Sequence, residues 1–382
     1  MAPTKTFLIG VKPATPQLAL AILMLKHCDQ LSFYCPGAKN DSAAAIGRKV
    51  SFLSRADSYM PPVTRVRVRE THMSWIFMNG ERVYKLKKPV QFPYLDFSTL
   101  ERRAAACRAE VDLNRRLARD VYLGVVPLTE NAAGYTIDGP GRIVDWLVVM
   151  RKLDENETLE AALHNRSLRR VQLERLAAVL GDFYSHARRI LVDPEAYPVA
   201  LYKAAAADWH ILLNPHFDLP RGSIEHIAAV QRRFLTERSK VLRDRVHRRH
   251  IIDAHGDLRP EHIWLSAHFP IIDCLEFNAH LRALDALEEV AFLHLECERL
   301  GSRWAGDFIR QRLANLLRDD PANGVFLFYR IGRAMLRARL SIAHLNDVQP
   351  RTPEKWPRLT RAYLGFAMAD AKRLERFLSA RR

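Results

Sequence analysis

His255-Gly256-Asp257-Leu258-Arg259-Pro260-Glu261-His262-Ile263, followed by Ile271-Ile272-Asp273-Cys274-Leu275-Glu276-Phe277, is the stretch on which the reading of this chain turns. It holds two aspartates sixteen positions apart, Asp257 and Asp273, each beside a short apolar, strand-like run. Phosphoryl transfer needs such a division of labour. One carboxylate orients the attacking hydroxyl and accepts its proton, and another holds the metal that bridges the nucleotide phosphates. The order along the chain, base first and metal ligand second, meets that requirement.

Upstream, the same chemistry needs a cation for the nucleotide phosphates and a carboxylate to hold that cation in place. Lys85, in Val83-Tyr84-Lys85, lies on a strand-like segment, and Glu110 lies in the next helical stretch. Lys87 shares the strand face two positions on and competes for the role. A glycine-rich loop is missing, and Glu70-Thr71-His72-Met73-Ser74-Trp75 stands in its place. Backbone N–H groups of this turn, with the Thr71 and Ser74 hydroxyls, are its candidate phosphate contacts.

Around these residues the pattern changes along the chain. Thr64–Arg69, Trp75–Met78 and Arg82–Lys87 read as three antiparallel strands, the last two joined by the hairpin signal Asn79-Gly80. Leu100–Leu117 reads as a helix with Ser98 or Thr99 as N-cap, and Pro127 closes the connection that follows. A second hairpin is expected from Tyr135–Ile137, the turn Asp138-Gly139-Pro140-Gly141, and Ile143–Met150. Beyond Leu159 the character is helical, interrupted by strand-like pieces at Ile251–Asp253, Ile263–Leu265 and Ile271–Ile272. The fold class is therefore α+β, a small antiparallel-sheet lobe ahead of a larger helical one.

The two decisive runs resemble the H-G-D-L-H-x-x-N and I-I-D motifs of aminoglycoside phosphotransferases and related small-molecule kinases. The resemblance implies a bilobal protein-kinase-like fold, with an N-lobe over 48–152, a C-lobe over 153–382 carrying both loops, and residues 1–47 as an appendage of unknown role. It implies ATP and a divalent metal as cofactors, with a small hydroxylated molecule as acceptor. Asp257 would be the base, with His255 bracing its loop. Asp273 would hold the metal, and Lys85 with Glu110 the nucleotide. The adenine would lie against the backbone of a hinge near Met150 to Leu153. Glu276 and Asp285 are weaker candidates for the substrate side, and Asp285 with Glu289 resembles the acidic pair that follows the metal motif. His186, in Phe183-Tyr184-Ser185-His186, reads as a core hydrogen-bonding histidine. His262 departs from the pattern by standing where the motif has an asparagine that binds a second metal. Magnesium wants oxygen ligands and an imidazole suits softer ions, so three outcomes are open: His262 turns away and one metal suffices, it ligates manganese or another transition ion, or the site no longer catalyses. The first two are favoured, and the metal is read as magnesium or manganese.

A longer similarity runs over 48–345. It includes Thr71–Trp75, Tyr84–Val90, Leu113–Ala118, Tyr122–Pro127 and Arg333–Ala338, which resemble the kinase-like half of bacterial bifunctional aminoglycoside phosphotransferase/ATP-binding proteins. The Walker A pattern of their other half, G-x-x-x-x-G-K-[ST], does not occur in this sequence.

Composition bounds the alternatives. At 382 residues and 48% hydrophobic content the chain can bury a full core. Its net charge of +16 favours anionic ligands, but the basic residues are spread along helical stretches and no nucleic-acid-binding signature accompanies them. The apolar run Leu18–Leu25 is too short to span a bilayer, so no membrane partner is expected. Five scattered cysteines without a C-x-x-C pair suggest neither a disulfide framework nor zinc, and imply a cytoplasmic setting. Two rival readings accompany the kinase: a catalytically weak nucleotide-binding regulator, motivated by His262, and a basic nucleic-acid-binding protein, motivated by charge.

Overall fold

The computed structural model describes residues 43–92, 94–321, 323–346 and 352–380. Most of the expected appendage lies outside them. Helix α1 (Ala43–Leu53) opens the described chain, so the expected boundary at 47/48 falls inside a helix. That helix is anchored: Lys49 Nζ donates to Asp145 Oδ2 at 2.8 Å and to the Val144 carbonyl at 2.9 Å, both buried in the sheet.

Strands β1 (Val66–Glu70), β2 (Ser74–Asn79) and β3 (Arg82–Lys87) form the expected antiparallel meander. Gly80, with φ of 44°, occupies the turn position where a side chain would be strained. A separate two-stranded piece, β4 (Gln91–Phe92) with β5 (Leu95–Asp96), leads into helix α2 (Leu100–Asn114). Its N-cap is Thr99, which accepts from the Arg102 N–H, and it ends three residues before the expected Leu117.

The remaining strands, β6 (Tyr122–Asn131), β7 (Gly134–Ile137) and β8 (Arg142–Arg151), complete a six-stranded sheet in the order β1-β2-β3-β8-β6-β7. This order corrects the expected second hairpin: β7 pairs with β6, and β8 lies on the other side of β6, against β3. The tight turn is at Asn131–Gly134, where Asn131 Oδ1 accepts from the Ala133 N–H at 2.8 Å. Pro127 lies within β6 and does not end it. Its carbonyl accepts from the Asp138 N–H at 2.9 Å, so its nitrogen faces the end of the short β7, where no ladder bond is lost.

Alternation along β3 sets up the site. Tyr84 and Leu86 face a core with Leu53, Phe77, Leu128 and Leu147, whereas Val83, Lys85 and Lys87 face α2. The hydrophobic residues on that second face are Cys107, Val111, Tyr122, Val148 and Met150.

The C-terminal part is helical: α3 (Leu159–His164), α4 (Arg170–His186), α5 (Ala196–Leu212), α6 (Arg221–Glu237), α7 (Ser239–His247), α8 (Ala279–Arg282), α9 (Ala286–Arg299), α10 (Arg303–Leu317), α11 (Asn323–Ala343) and α12 (Lys355–Ser379). Only a small antiparallel pair interrupts them, β9 (Ile251–Asp253) with β10 (Ala283–Asp285). The expected strands at 263–265 and 271–272 shrink to isolated bridges, Ile263 with Ile271 and Trp264 with Thr158. Helix α9 runs through the core, with buried residues on all its faces from Ala286 to Cys297. Burial of this kind is what lets α9 place a carboxylate directly beneath the loop at Asp257.

Candidate active site

The two lobes meet at two lysines. Lys85 Nζ lies 2.8 Å from Glu110 Oε1 and 3.2 Å from Asp273 Oδ1, joining β3, α2 and the loop after Ile272. Lys87 Nζ lies 2.6 Å from Glu110 Oε2 and 2.5 Å from Glu276 Oε1. Lys85 and Lys87 are thus two members of one cluster, in which Glu110 gives one oxygen to each. The fold is the two-lobed, protein-kinase-like one.

Electrostatics in the cluster follow from its alternation of signs. Burial works against the Lys85 ammonium, but Glu110, Asp273 and Glu276 outweigh it and raise its pKa well above the usual lysine range. Lys87 is raised by the same balance of burial against Glu110 and Glu276. Burial would raise the Glu110 carboxyl, and the two lysines instead hold it below its ordinary value. Asp273 is lowered strongly, first by Lys85, against its own burial, and then by His262. All four groups are charged at neutral pH.

Asp273 sits with φ of 65°, a left-handed backbone that a non-glycine residue adopts at a cost of about 1–3 kcal/mol. Its surroundings hold it there. The Asp273 N–H donates to the Tyr122 hydroxyl at 3.3 Å, and the Cys274 N–H donates to Asn114 Oδ1 at 2.9 Å. The neighbouring Arg116 donates to the carbonyls of Asp253 at 2.8 Å and Ala254 at 3.0 Å. Three N-lobe side chains therefore fix the loops of the C-lobe.

Asp257 is held from the other side. Glu289 on α9 accepts the N–H groups of His255 at 3.2 Å and Gly256 at 2.6 Å, and Tyr184 donates its hydroxyl to the same carboxylate at 3.1 Å. Burial raises the Glu289 pKa against these bonds. Gly256 has φ of 90°, and a Cβ there would stand 3.0 Å from Leu275 and 3.2 Å from Arg282, so glycine is required for both conformation and space.

His255 bonds both loops. Its Nε2 is 2.9 Å from the Ile272 carbonyl, which can only accept, so Nε2 carries the hydrogen and Nδ1 accepts the Asp257 N–H at 3.3 Å. Burial, with His262 nearby, lowers its pKa to about 4 and keeps the ring neutral. It ties the Asp257 loop to the residue before Asp273.

The Asp257 carboxylate meets Arg259, whose Nε lies 3.1 Å from Oδ2. Burial would raise its pKa, but Arg259, His262 and Arg337 lower it. Arg259 is a site residue that reading the sequence for known roles passed over. The signal was present, since arginine stands where the H-G-D-L-H motif has its second histidine. Asn114, Arg116 and Tyr122 had no such signal, because their role depends on loops more than 130 positions away.

Three expected placements are corrected. Asp285 has no exposed surface: it caps α9 by accepting from the Leu287 N–H and pairs with Arg245 at 2.5 Å, so it does not face a substrate. Met150, in register between Val83 and Tyr122, is the last residue but one of β8, and the chain leaves the sheet after Arg151, within the 150–153 segment read as a hinge. Thr71 closes its own turn, accepting from the Ser74 N–H at 3.0 Å and donating to the Ser74 carbonyl at 3.0 Å, while Ser74 is buried. His186 is 79% exposed on α4 and bonds only its own helix through the Asp182 carbonyl and carboxylate. Glu276 is brought to the site, as the partner of Lys87.

Comparison with known proteins gives the following. No family model matches the chain. Curated proteins described as uncharacterized, from Mycobacterium tuberculosis and Mycobacterium bovis, are 31% identical over 291 residues, which is 75% of this chain. The chain spans about half the length of these relatives, 56%. Among solved structures, a thermostable mutant of aminoglycoside phosphotransferase APH(4)-Ia is similar with a TM-score of 0.48 and 13% identity, over 84% of this chain and 98% of that one. A choline kinase from Cryptosporidium parvum is similar with a TM-score of 0.47 and 11% identity, over 87% and 96%.

Proposed function

We propose that this chain is an ATP-dependent phosphotransferase of the aminoglycoside phosphotransferase-like group, acting on a hydroxyl of a small molecule. The observation that carries the reading is the convergence of Lys85, Glu110 and Asp273 from three separate segments, with Asp257 on the adjoining loop.

In this reading Lys85 binds the α- and β-phosphates, and Glu110 keeps it aimed at them. Backbone N–H groups of the turn at His72 and Met73 cover the phosphates, on a scaffold closed by Thr71. Asp257 orients the acceptor hydroxyl and takes its proton as the oxygen bonds to the γ-phosphorus and the bond from phosphorus to the bridging oxygen breaks, leaving ADP. The Asp273 carboxylate, 49% exposed, is a hard oxygen donor that fits one magnesium or manganese ion. Such an ion would neutralise charge on the β- and γ-phosphates. Acceptors that are polycations are disfavoured by the net charge of +16, so "aminoglycoside" describes the group and not this substrate. A cytoplasmic setting belongs to the same proposal; Cys107, Cys274 and Cys297 are free and buried. Among the described residues no helix is long and apolar enough to cross a membrane.

One observation favours a second reading, a nucleotide-binding regulator of weak or no catalysis: Arg259 already engages the Asp257 carboxylate. A thermal-shift titration with ATP and magnesium or manganese tests binding, since a ligand of the folded state raises its apparent stability. No shift with any nucleotide would remove both readings. Asp257→Asn should keep the shift, and with it abolish any transfer or ATP hydrolysis; Asp273→Ala should lose the metal-dependent part of the shift. Binding without turnover in the unmodified protein would select the regulator.

A further inference from the structure

We propose that the Arg259 guanidinium takes the place of a second metal ion, so that the site binds one divalent ion with its nucleotide and supplies the other positive charge from its own chain. This rests on the nucleotide-binding reading above.

The argument starts from what each nitrogen can do. Arg259 Nε lies 3.1 Å from Asp257 Oδ2, and Nη1 lies 2.5 Å from Glu261 Oε1. Nη2 is 3.1 Å from His262 Nε2. An arginine only donates, so His262 Nε2 must accept, and the ring hydrogen is on Nδ1. Nδ1 then donates to the Asp257 carbonyl at 2.9 Å. Both ring nitrogens are committed. Metal coordination by imidazole needs a free lone pair, and His262 has none to offer. Of the outcomes open for His262, this geometry favours the one in which the ring turns away from the metal.

The other donors point the same way. Asp257 Oδ2 already carries Arg259. Asp273 Oδ2 lies 3.7 Å from His262 Nε2, so His262, with Arg259 bonded to it, borders the metal aspartate. The guanidinium is planar, permanently charged and fixed on three sides, and oxygens of a transferring phosphoryl group are what such a fork recognises. Arg259 and His262 replace the motif's histidine and asparagine together, and they bond each other. One substitution explains the other.

The experiment is a Mn2+ titration of the whole chain with a non-hydrolysable ATP analogue, free Mn2+ being read by electron paramagnetic resonance. One ion per chain is expected, and two after the double change Arg259→His with His262→Asn. Two ions in the unmodified protein, or one in both proteins, would overturn the proposal. If the analogue fails to bind the unmodified protein at all, the nucleotide-binding reading falls and takes this one with it. Should the double variant not fold, Arg259→Gln decides the matter by affinity. The ATP analogue should weaken by about tenfold, the worth of a charge-assisted hydrogen bond, and ADP much less. Equal weakening of both nucleotides would place Arg259 away from the γ-phosphate and overturn the proposal.

Discussion

Gly256 donates its N–H to Glu289 at 2.6 Å, so the loop that carries Asp257 hangs from a carboxylate in the middle of the helical core. Glu289 also takes the His255 N–H, and its burial is complete enough that water does not replace it. Glu289→Ala should leave three buried donors, the His255 and Gly256 N–H groups and the Tyr184 hydroxyl, without this partner and cost about 1–3 kcal/mol for each. Urea unfolding measures this, and a loss below about 0.5 kcal/mol, the scatter typical of surface changes, would show that the loop is held elsewhere.

The sharing of Glu110 between two lysines ranks three substitutions. Glu110→Gln removes the charge that both lysines share, leaving Lys85 only Asp273 and Lys87 only Glu276, and should be the most damaging of the three. Lys87→Met leaves Glu110 its bond to Lys85 but strands Glu276, and should act mainly on stability. Lys85→Met should act mainly on nucleotide affinity, since Lys85 is the more exposed of the two. A double-mutant cycle of Lys85 with Glu110 should show coupling of about 0.5–3 kcal/mol, and simple additivity would break the pair.

Acid should weaken the fold before it protonates the Asp257 and Asp273 carboxylates, which are held below their ordinary values. The His255 pKa falls to about 4 in the folded chain, against about 6.5 when unfolded, so between those values the unfolded state binds more protons. The neutral-His255 contribution is fully present above pH 6.5 and is lost as pH falls toward 4, up to roughly 3 kcal/mol. Buried His294, held to about 4 by burial and Arg330, contributes a second slope of the same sign. Stability measured by urea across this range should fall steadily, and His255→Gln should flatten it by about half. An unchanged slope would mean that His255 titrates normally.

Asn114→Ala removes the acceptor of the Cys274 N–H and a helix-end bond to the Glu110 carbonyl. The left-handed backbone at Asp273 would lose one of its supports. Stability should drop by about 1–3 kcal/mol. Metal-dependent nucleotide affinity should fall with it, as judged by the Mn2+ titration, whereas metal-independent affinity should change little. Equal loss of both would argue for general loosening.

The site was more legible than the topology, for a physical reason. His255, Asp257 and Asp273 lie in one continuous stretch, and Lys85 with Glu110 is reached through resemblance to the kinase lysine and its helix glutamate, so local sequence carried most of the candidate chemistry. The order of β6, β7 and β8 depends on which strands pair. Asp138-Gly139-Pro140-Gly141 carries a hairpin's composition without being one, and Pro127 looks like a stop when its nitrogen merely faces an edge. Asp285 reads as an active-site acid until Arg245, forty positions earlier, is seen beside it. Exposure of His186 is set by which face of α4 packs, and not by its neighbours in sequence. Arg259 was visible as a letter but not as a contact.

Helix α2 is fastened at both ends to different bodies. Arg103 near its start pairs with Asp145 of the sheet at 2.8 Å, while Asn114 and Arg116 at its finish bind the C-lobe loops. Any swing of the sheet relative to those loops would therefore turn about the Asn114 end, and the helix becomes a lever arm. With a rise of about 1.5 Å per residue, a turn of about 10° carries the Arg103 end through roughly 3 Å and Glu110 through only about 1 Å. Glu110 thus rides close to the fulcrum, keeping station with Asp273 while the outer strands travel.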